Sequence, residues 1–187
     1  MSARAAVPVL AMLALLAGCA TASQHGRAAL SRGSYDEAAR HFEDSLAREP
    51  DRAADLFGLG VARYKLDAFD EARRAFEEAL AQDPALPPAH LYLALIAIRR
   101  GDAAADAHLA RYLALEPPAR LAAQVDRARR TLPTVPAGLR DYVAAGLEDG
   151  YQWAGEVAGA LQAARDAELR YLAADRIYLL PRYCRCR

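Results

Sequence analysis

The chain is poor in lysine: of its 24 basic residues only Lys65 is not arginine, and 24 acidic residues balance them to a formal net charge of zero. Such a balance offers no basic field to a phosphate backbone, so nucleic acid is excluded as the main partner. Threonine, valine and isoleucine are scarce beyond residue 20, while alanine, leucine and arginine abound, which favours helices over strands. Cysteine occurs three times. Cys184 and Cys186 flank a single residue, a spacing that bridges poorly, so an intermolecular disulfide or simple exposure is expected there. The tail shows too few ligands for a metal. His25, His41, His90 and His108 lack the close spacing of a ligand set and are expected to be structural or partly exposed. Gly58-x-Gly60 lacks the preceding strand and third glycine of a phosphate loop, and no nucleophile elbow or Ser/His/Asp set is present. We expect no catalysis, no cofactor and no metal.

What is present begins with the one long apolar run. Residues 1–18 hold Arg4, then VPVLAMLALLA, 11 uncharged residues that are too few to span a bilayer and suit a signal-peptide core. The run ends in Leu16-Ala17-Gly18-Cys19, which resembles the lipobox of bacterial lipoproteins. The resemblance implies removal of residues 1–18 and a covalent lipid on Cys19, whose several acyl chains would anchor the protein stably. Ala20, rather than an aspartate, follows the cysteine. By the sorting rule of enteric bacteria this implies the outer membrane, facing the periplasm. Removing residues 1–18 takes away only Arg4 and leaves a net charge of −1. The four or five residues between Cys19 and the first helical residues near Gln24 reach at most about 15–18 Å.

A period of 34 residues follows: Tyr35 and Phe69, Ala38 and Ala72, Phe42 and Phe76, Leu46 and Leu80, and Pro50 and Pro84 all stand that far apart. Leu56, Leu59, Gly60 and Tyr64 precede the second block. The pattern resembles the tetratricopeptide repeat (TPR), a helix–turn–helix unit of this length. Ala38, Ala72 and Gly60 then mark close helix crossings, Phe42 and Phe76 fill the space between hairpins, and Pro50 and Pro84 end the second helices. A third unit, with Leu93, Gly101, Leu109, Tyr112 and Pro117, fits if one residue is missing from its turn or early second helix, and Ala94 stands where Gly60 did. The first unit is degenerate at its start, where only Gly26 and Ala28–Leu30 match. Leu121, Ala122, Val125, Ala128 and Leu132 give a capping helix one apolar face. The expected fold is an all-α TPR-type solenoid of about three repeats plus this cap, with a C-terminal helical extension.

The resemblance places Phe57, Val61, Tyr64 and Lys65 of the second repeat, and Leu91, Leu95, Ile98 and Arg99 of the third, on the concave groove that holds a peptide or helix in this family. That wall is apolar with one cation per repeat at its edge, unlike a groove that clamps acidic C-termini, and it calls for an amphipathic helix or hydrophobic strand. Beyond a linker around Pro133 and Pro136, Leu139–Leu147 reads as a short helix ending near Asp149-Gly150. Trp153, Val157, Ala160, Ala164, Ala167, Tyr171, Ala174 and Tyr178 then form a stripe at heptad spacing. That stripe is expected to pack on the repeats, to pair with a second copy, or to leave the groove when a partner arrives. The last 18 residues hold five arginines and one aspartate. A basic tail of this kind is either solvated or touches anionic headgroups.

The expected organisation is a signal peptide at 1–18, an anchor and spacer at 19–23, a repeat domain with its cap at 24–132, and a helical extension with a basic tail at 133–187. It implies a non-catalytic, lipid-anchored envelope scaffold or adaptor that binds a peptide or helix of another envelope protein. The alternative is a structural module that forms a homodimer through its C-terminal helix, with the groove filled by its own chain.

Overall fold

The computed structural model of the protein describes residues 22–179, with side chains over 22–156 and 158–170. Cys19 and the signal-peptide segment, like Cys184, Cys186 and the end of the basic tail, lie outside the described residues. The described chain is helical, without a strand: α1 (22–31), α2 (Tyr35–Leu46), α3 (Ala53–Lys65), α4 (Phe69–Gln82), α5 (Pro87–Arg100), α6 (Ala104–Ala114), α7 (Ala119–Thr131) and α8 (Arg140–Leu179). Two short 3₁₀ turns, Leu132–Thr134 and Ala137–Leu139, occupy the linker.

Three hairpins, α1–α2, α3–α4 and α5–α6, stack as a solenoid. The repeat is written into the backbone at the hairpin turns, where Gly33, Asp67 and Gly101 have φ of +75°, +57° and +68°. Glycine enters this left-handed conformation without a Cβ penalty, and aspartate tolerates it better than most residues. Gly101 still keeps the 34-residue step, whereas Phe76 and Leu109 are 33 apart, so the missing residue of the third unit lies just after the turn. Helix α5 has Pro87 and Pro88 in its first turn, where no amide hydrogen is needed, and Arg99 and Arg100 in its last, against the negative end of the dipole.

Small residues set the helix crossings. Ala38, Ala72 and Ala62 are wholly buried, and so are Phe42 and Phe76. The Phe42 ring lies against Gly26 and Gly58, between the first helices of successive hairpins, and Phe76 lies against Gly60. Both members of Gly58-x-Gly60 therefore exist to let an aromatic ring approach the backbone. The capping helix α7 buries Leu121, Val125 and Ala128, with Ala122 and Leu132 at the margin of that face.

Two expectations need correction. Helix α1 already includes Ala22 and Ser23, so the segment after Cys19 is shorter than a start near Gln24 implied. Leu139–Leu147 and the stripe beginning at Trp153 are not two helices: α8 runs unbroken through Gly150. Gly150 is not a stop signal. Its bare Cα lies where a side chain would strike Gln124 of α7, so the glycine allows close packing. The register differs as well. Ala144, Leu147, Tyr151 and Ala154 pack into the main core, while Trp153, Ala160, Ala164 and Ala167 face solvent.

Helices α3 and α5 run in parallel register, since Tyr64 meets Arg99 and Phe57 meets Tyr92, both pairs 35 residues apart. Helix α8 runs antiparallel to α5, with Asp141 beside Arg99 and Tyr151 beside Tyr92. Its packing on the core beside α5 ends near residue 155, level with the start of α5, and the cleft it forms with α7 reaches on to Leu161. Every described side chain from 155 to 170 is exposed.

Candidate functional site

The eight groove positions lie on α3 and α5 as a single wall. Tyr64, Leu91, Leu95 and Ile98 are buried; Phe57, Val61, Lys65 and Arg99 are partly exposed. What covers the wall is the first half of α8. Ala144 and Leu147 are buried in the same core as Leu91, Leu95 and Ile98, with Val143, Tyr151 and Ala154 against it. The apolar pattern of a groove ligand, at positions 143/144, 147, 151 and 154, is thus supplied by the chain itself.

Polar contacts fix the register of that helix. Lys65 Nζ donates to Glu148 Oε1 at 2.7 Å, and Glu148 is almost completely buried. A carboxylate so placed requires a partner, and the single lysine provides it. Arg99 Nη1 stands 3.6 Å from Asp141 Oδ1, while its Nε donates to the Tyr64 hydroxyl at 3.1 Å. Its guanidinium also lies 5.4 Å from the centre of the Tyr64 ring. On the other side, Gln124 Nε2 donates to the Gly146 carbonyl at 2.9 Å. Both cations of the wall's edge are therefore engaged by carboxylates of α8.

Tyr92, which the repeat pattern did not single out, is the hub of the site. Its ring stacks on Phe76 at 5.3 Å and meets Phe57, Tyr64 and Tyr151 edge-on at 5.8, 5.2 and 6.0 Å. Burial, then the Glu148 charge, raises the Tyr64 phenol to about 12, partly opposed by Arg99. The same two causes push Tyr92 higher still. These hydroxyls are neutral at physiological pH and act as hydrogen-bonding groups, not as acids. Glu148, Tyr151 and Gln152 were also missed, because Gly150 reads as a helix end in isolation. The signal was there in apolar residues continuing at steps of three and four across the glycine.

Two other polar groupings stand apart from this wall. Asp55, wholly buried at the start of α3, accepts from Ser23 Oγ at 2.5 Å and Ser45 Oγ at 2.7 Å, with Arg52 Nε at 3.4 Å. It ties α1, α2 and α3 together. His25 lies 5.4 Å from His41, and His90 lies 6.0 Å from His108, ring centre to ring centre. Burial lowers the basicity of His90 and His108; the charge of His108 lowers His90 further, while Glu77 and Asp102 partly restore His108. Among the described residues, no three His, Cys, Asp or Glu side chains converge as a metal would require. An apolar cleft of about 580 Å³ between α7 and α8 is lined by Leu121, Trp153, Ala154, Ala158 and Leu161. Arg120 stands 4.2 Å over the Trp153 ring at its rim.

The tetratricopeptide repeat family model matches residues 23–87 and 64–121. No curated protein matches the sequence. Among solved structures, a mutant of the O-GlcNAc transferase of Thermobaculum terrenum superposes with a TM-score of 0.54 at 22% identity, over 59% of this chain and 21% of that one. The match thus spans about a fifth of the transferase. The TPR2B domain of yeast Sti1, in a complex with pHsp70, gives a TM-score of 0.51 at 20% identity, over 69% of this chain and 97% of that one. At these identities the likeness is one of fold. With the hairpin period present in sequence, backbone and core, and the family model spanning just over half of its length, the chain belongs to the tetratricopeptide repeat family.

Proposed function

We propose that this protein is a non-catalytic interaction module, held at the cell envelope by a lipid on Cys19, whose groove takes an amphipathic helix of another envelope protein. The anchor would sit in the outer membrane and face the periplasm. The module would serve the assembly or regulation of an envelope complex. One observation carries the binding half of the reading: the groove accepts a helix, with Leu91, Leu95 and Ile98 for its apolar face and Lys65 and Arg99 for its acids. The solved Sti1 domain, in complex with pHsp70, is a precedent for a protein ligand on this fold. A partner here must compete with α8, so binding and release of α8 are coupled in free energy. The second reading is a module whose groove stays filled and which pairs through the outer half of α8, as its exposure would allow.

A labelled peptide of residues 140–155, added in trans, separates the two. The groove reading expects it to bind full-length protein carrying Leu147→Asp, in which α8 is released, and to bind wild type far more weakly. A Leu147→Asp protein that keeps its helical spectrum yet ignores the peptide would sink it. For the partner itself, crosslinked capture from membranes is compared with Cys19→Ala.

A further inference from the structure

The outer half of α8 leaves the solenoid at a particular edge. Ser23, near the start of α1, bonds to Asp55 near the start of α3, and α3 and α5 run in parallel register. The first turns of α1, α3 and α5 therefore share one edge. Helix α8 passes this edge at about residue 155 and continues to Leu179, about 37 Å further at ~1.5 Å per residue.

Chain length ties the proposed lipid attachment point to the same edge. Cys19 is three residues before Ala22, which is already helical, and three extended residues reach at most about 11 Å. A membrane within that distance of the edge leaves no room for a 37 Å rod pointing at it. No described helix is long and apolar enough to cross a membrane, so the rod cannot be accommodated by spanning. It fits if the helix axes lie near the membrane plane, with the outer half of α8 along the surface.

Its side chains suit that position. The face that packs on α5 through Leu147, Tyr151 and Ala154 continues outward at steps of three and four as Ala158, Leu161, Arg165 and Leu169. Ala158 and Leu161 line the open cleft beside α7, yet Leu161 is still 57% exposed, and Leu169 beyond the cleft is 64% exposed. Arg165 interrupts this face with a long stem and a cationic head, a residue that can lie on acyl chains while reaching phosphate. The opposite face carries Glu156, Ala160, Ala163 and Ala167. A strict heptad seam through Leu161 meets Arg165 and Glu168, which suits a second copy less well.

We infer that residues 155–179 form a surface-lying helix that contacts the phospholipid bilayer through Leu161, Arg165 and Leu169 and sets the orientation of the groove. The inference rests on the lipid anchor proposed above. The contact need not be strong, because tethering through Cys19 supplies a high effective concentration of bilayer.

The test uses the full lipidated chain with Cys184→Ser and Cys186→Ser, and an environment-sensitive fluorophore on a single cysteine replacing residue 156, 161, 163 or 169. The protein is reconstituted into vesicles of phosphatidylethanolamine and phosphatidylglycerol. Emission should rise several-fold at positions 161 and 169, be quenched by a lipid-borne quencher, and change little at 156 and 163. Uniform emission at all four positions, with a lipid on Cys19 verified by mass, overturns the surface helix and leaves the anchor standing. A rise that persists in the lipid-free Cys19→Ala protein and falls on dilution with unlabelled chain assigns the face to a second copy and overturns it too. A Cys19 without lipid overturns both readings.

Discussion

Lys65 and Glu148 meet at 2.7 Å, joining the last residue of α3 to the helix that covers it. Glu148 is almost completely buried and Lys65 is partly exposed, at the edge of the wall that α8 covers. Glu148→Ala should destabilise the protein by about 1–3 kcal/mol in urea unfolding, since the ammonium loses its partner. Exchanging the charges, Lys65→Glu with Glu148→Lys, should recover part of that loss. No recovery would mean that the pair contributes nothing to the register of α8.

A Cβ on Gly60 would sit 2.5 Å from the Phe76 ring, and one on Gly58 would clash with Phe42. Gly58→Ala and Gly60→Ala should each cost about 1–3 kcal/mol, against the small gain alanine brings to an exposed helix. Combining Gly60→Ala with Phe76→Leu should cost less than the sum of the two single changes, as a double-mutant cycle would read.

Asp55 has no solvent contact and holds two hydroxyl donors from two other helices. Asp55→Ala should lower stability by about 2–3 kcal/mol, and Ser23→Ala and Ser45→Ala by about 1 kcal/mol each. Because Ser23 is in α1, faster amide exchange over 23–31 in Asp55→Ala is expected at once.

Stability should also fall as pH drops below about 6.5, the ordinary imidazole value. Burial depresses the basicity of His90 and His108, so the folded protein binds fewer protons than the unfolded chain in that window. Their contribution is complete above the unfolded value and is lost as pH falls through the folded ones. His90→Gln with His108→Gln should flatten the melting temperature between pH 7 and 5 relative to wild type; an unchanged slope would contradict this. Glu77, Asp102 and Arg111 face the pair and remain in both proteins.

The repeats were legible because each demands a particular residue at a particular step. Phe42 needs Gly26 and Gly58, Phe76 needs Gly60, and the turns need Gly33, Asp67 and Gly101. That Phe57, Leu91, Leu95 and Ile98 share one wall followed from the same step, and the packing of the C-terminal helix on the repeats was expected; the face by which it packs was not legible. Gly150 has two meanings, a stop or a close approach, and only the position of Gln124 decides between them. Taken as a stop, it starts a new helix face at Trp153 and cuts Ala144 and Leu147 off from Tyr151 and Ala154, which belong to the same face. Asp55 was equally silent, since Ser23 and Ser45 reach it only once three helices have been stacked.

The seat of α8 in the groove is tested most directly by hydrogen–deuterium exchange along that one helix in the full-length protein. The account predicts slow exchange over residues 142–153, comparable with α5, and much faster exchange over 156–170. Equally fast exchange in both halves would contradict it, because the first half would then be no more covered than the second.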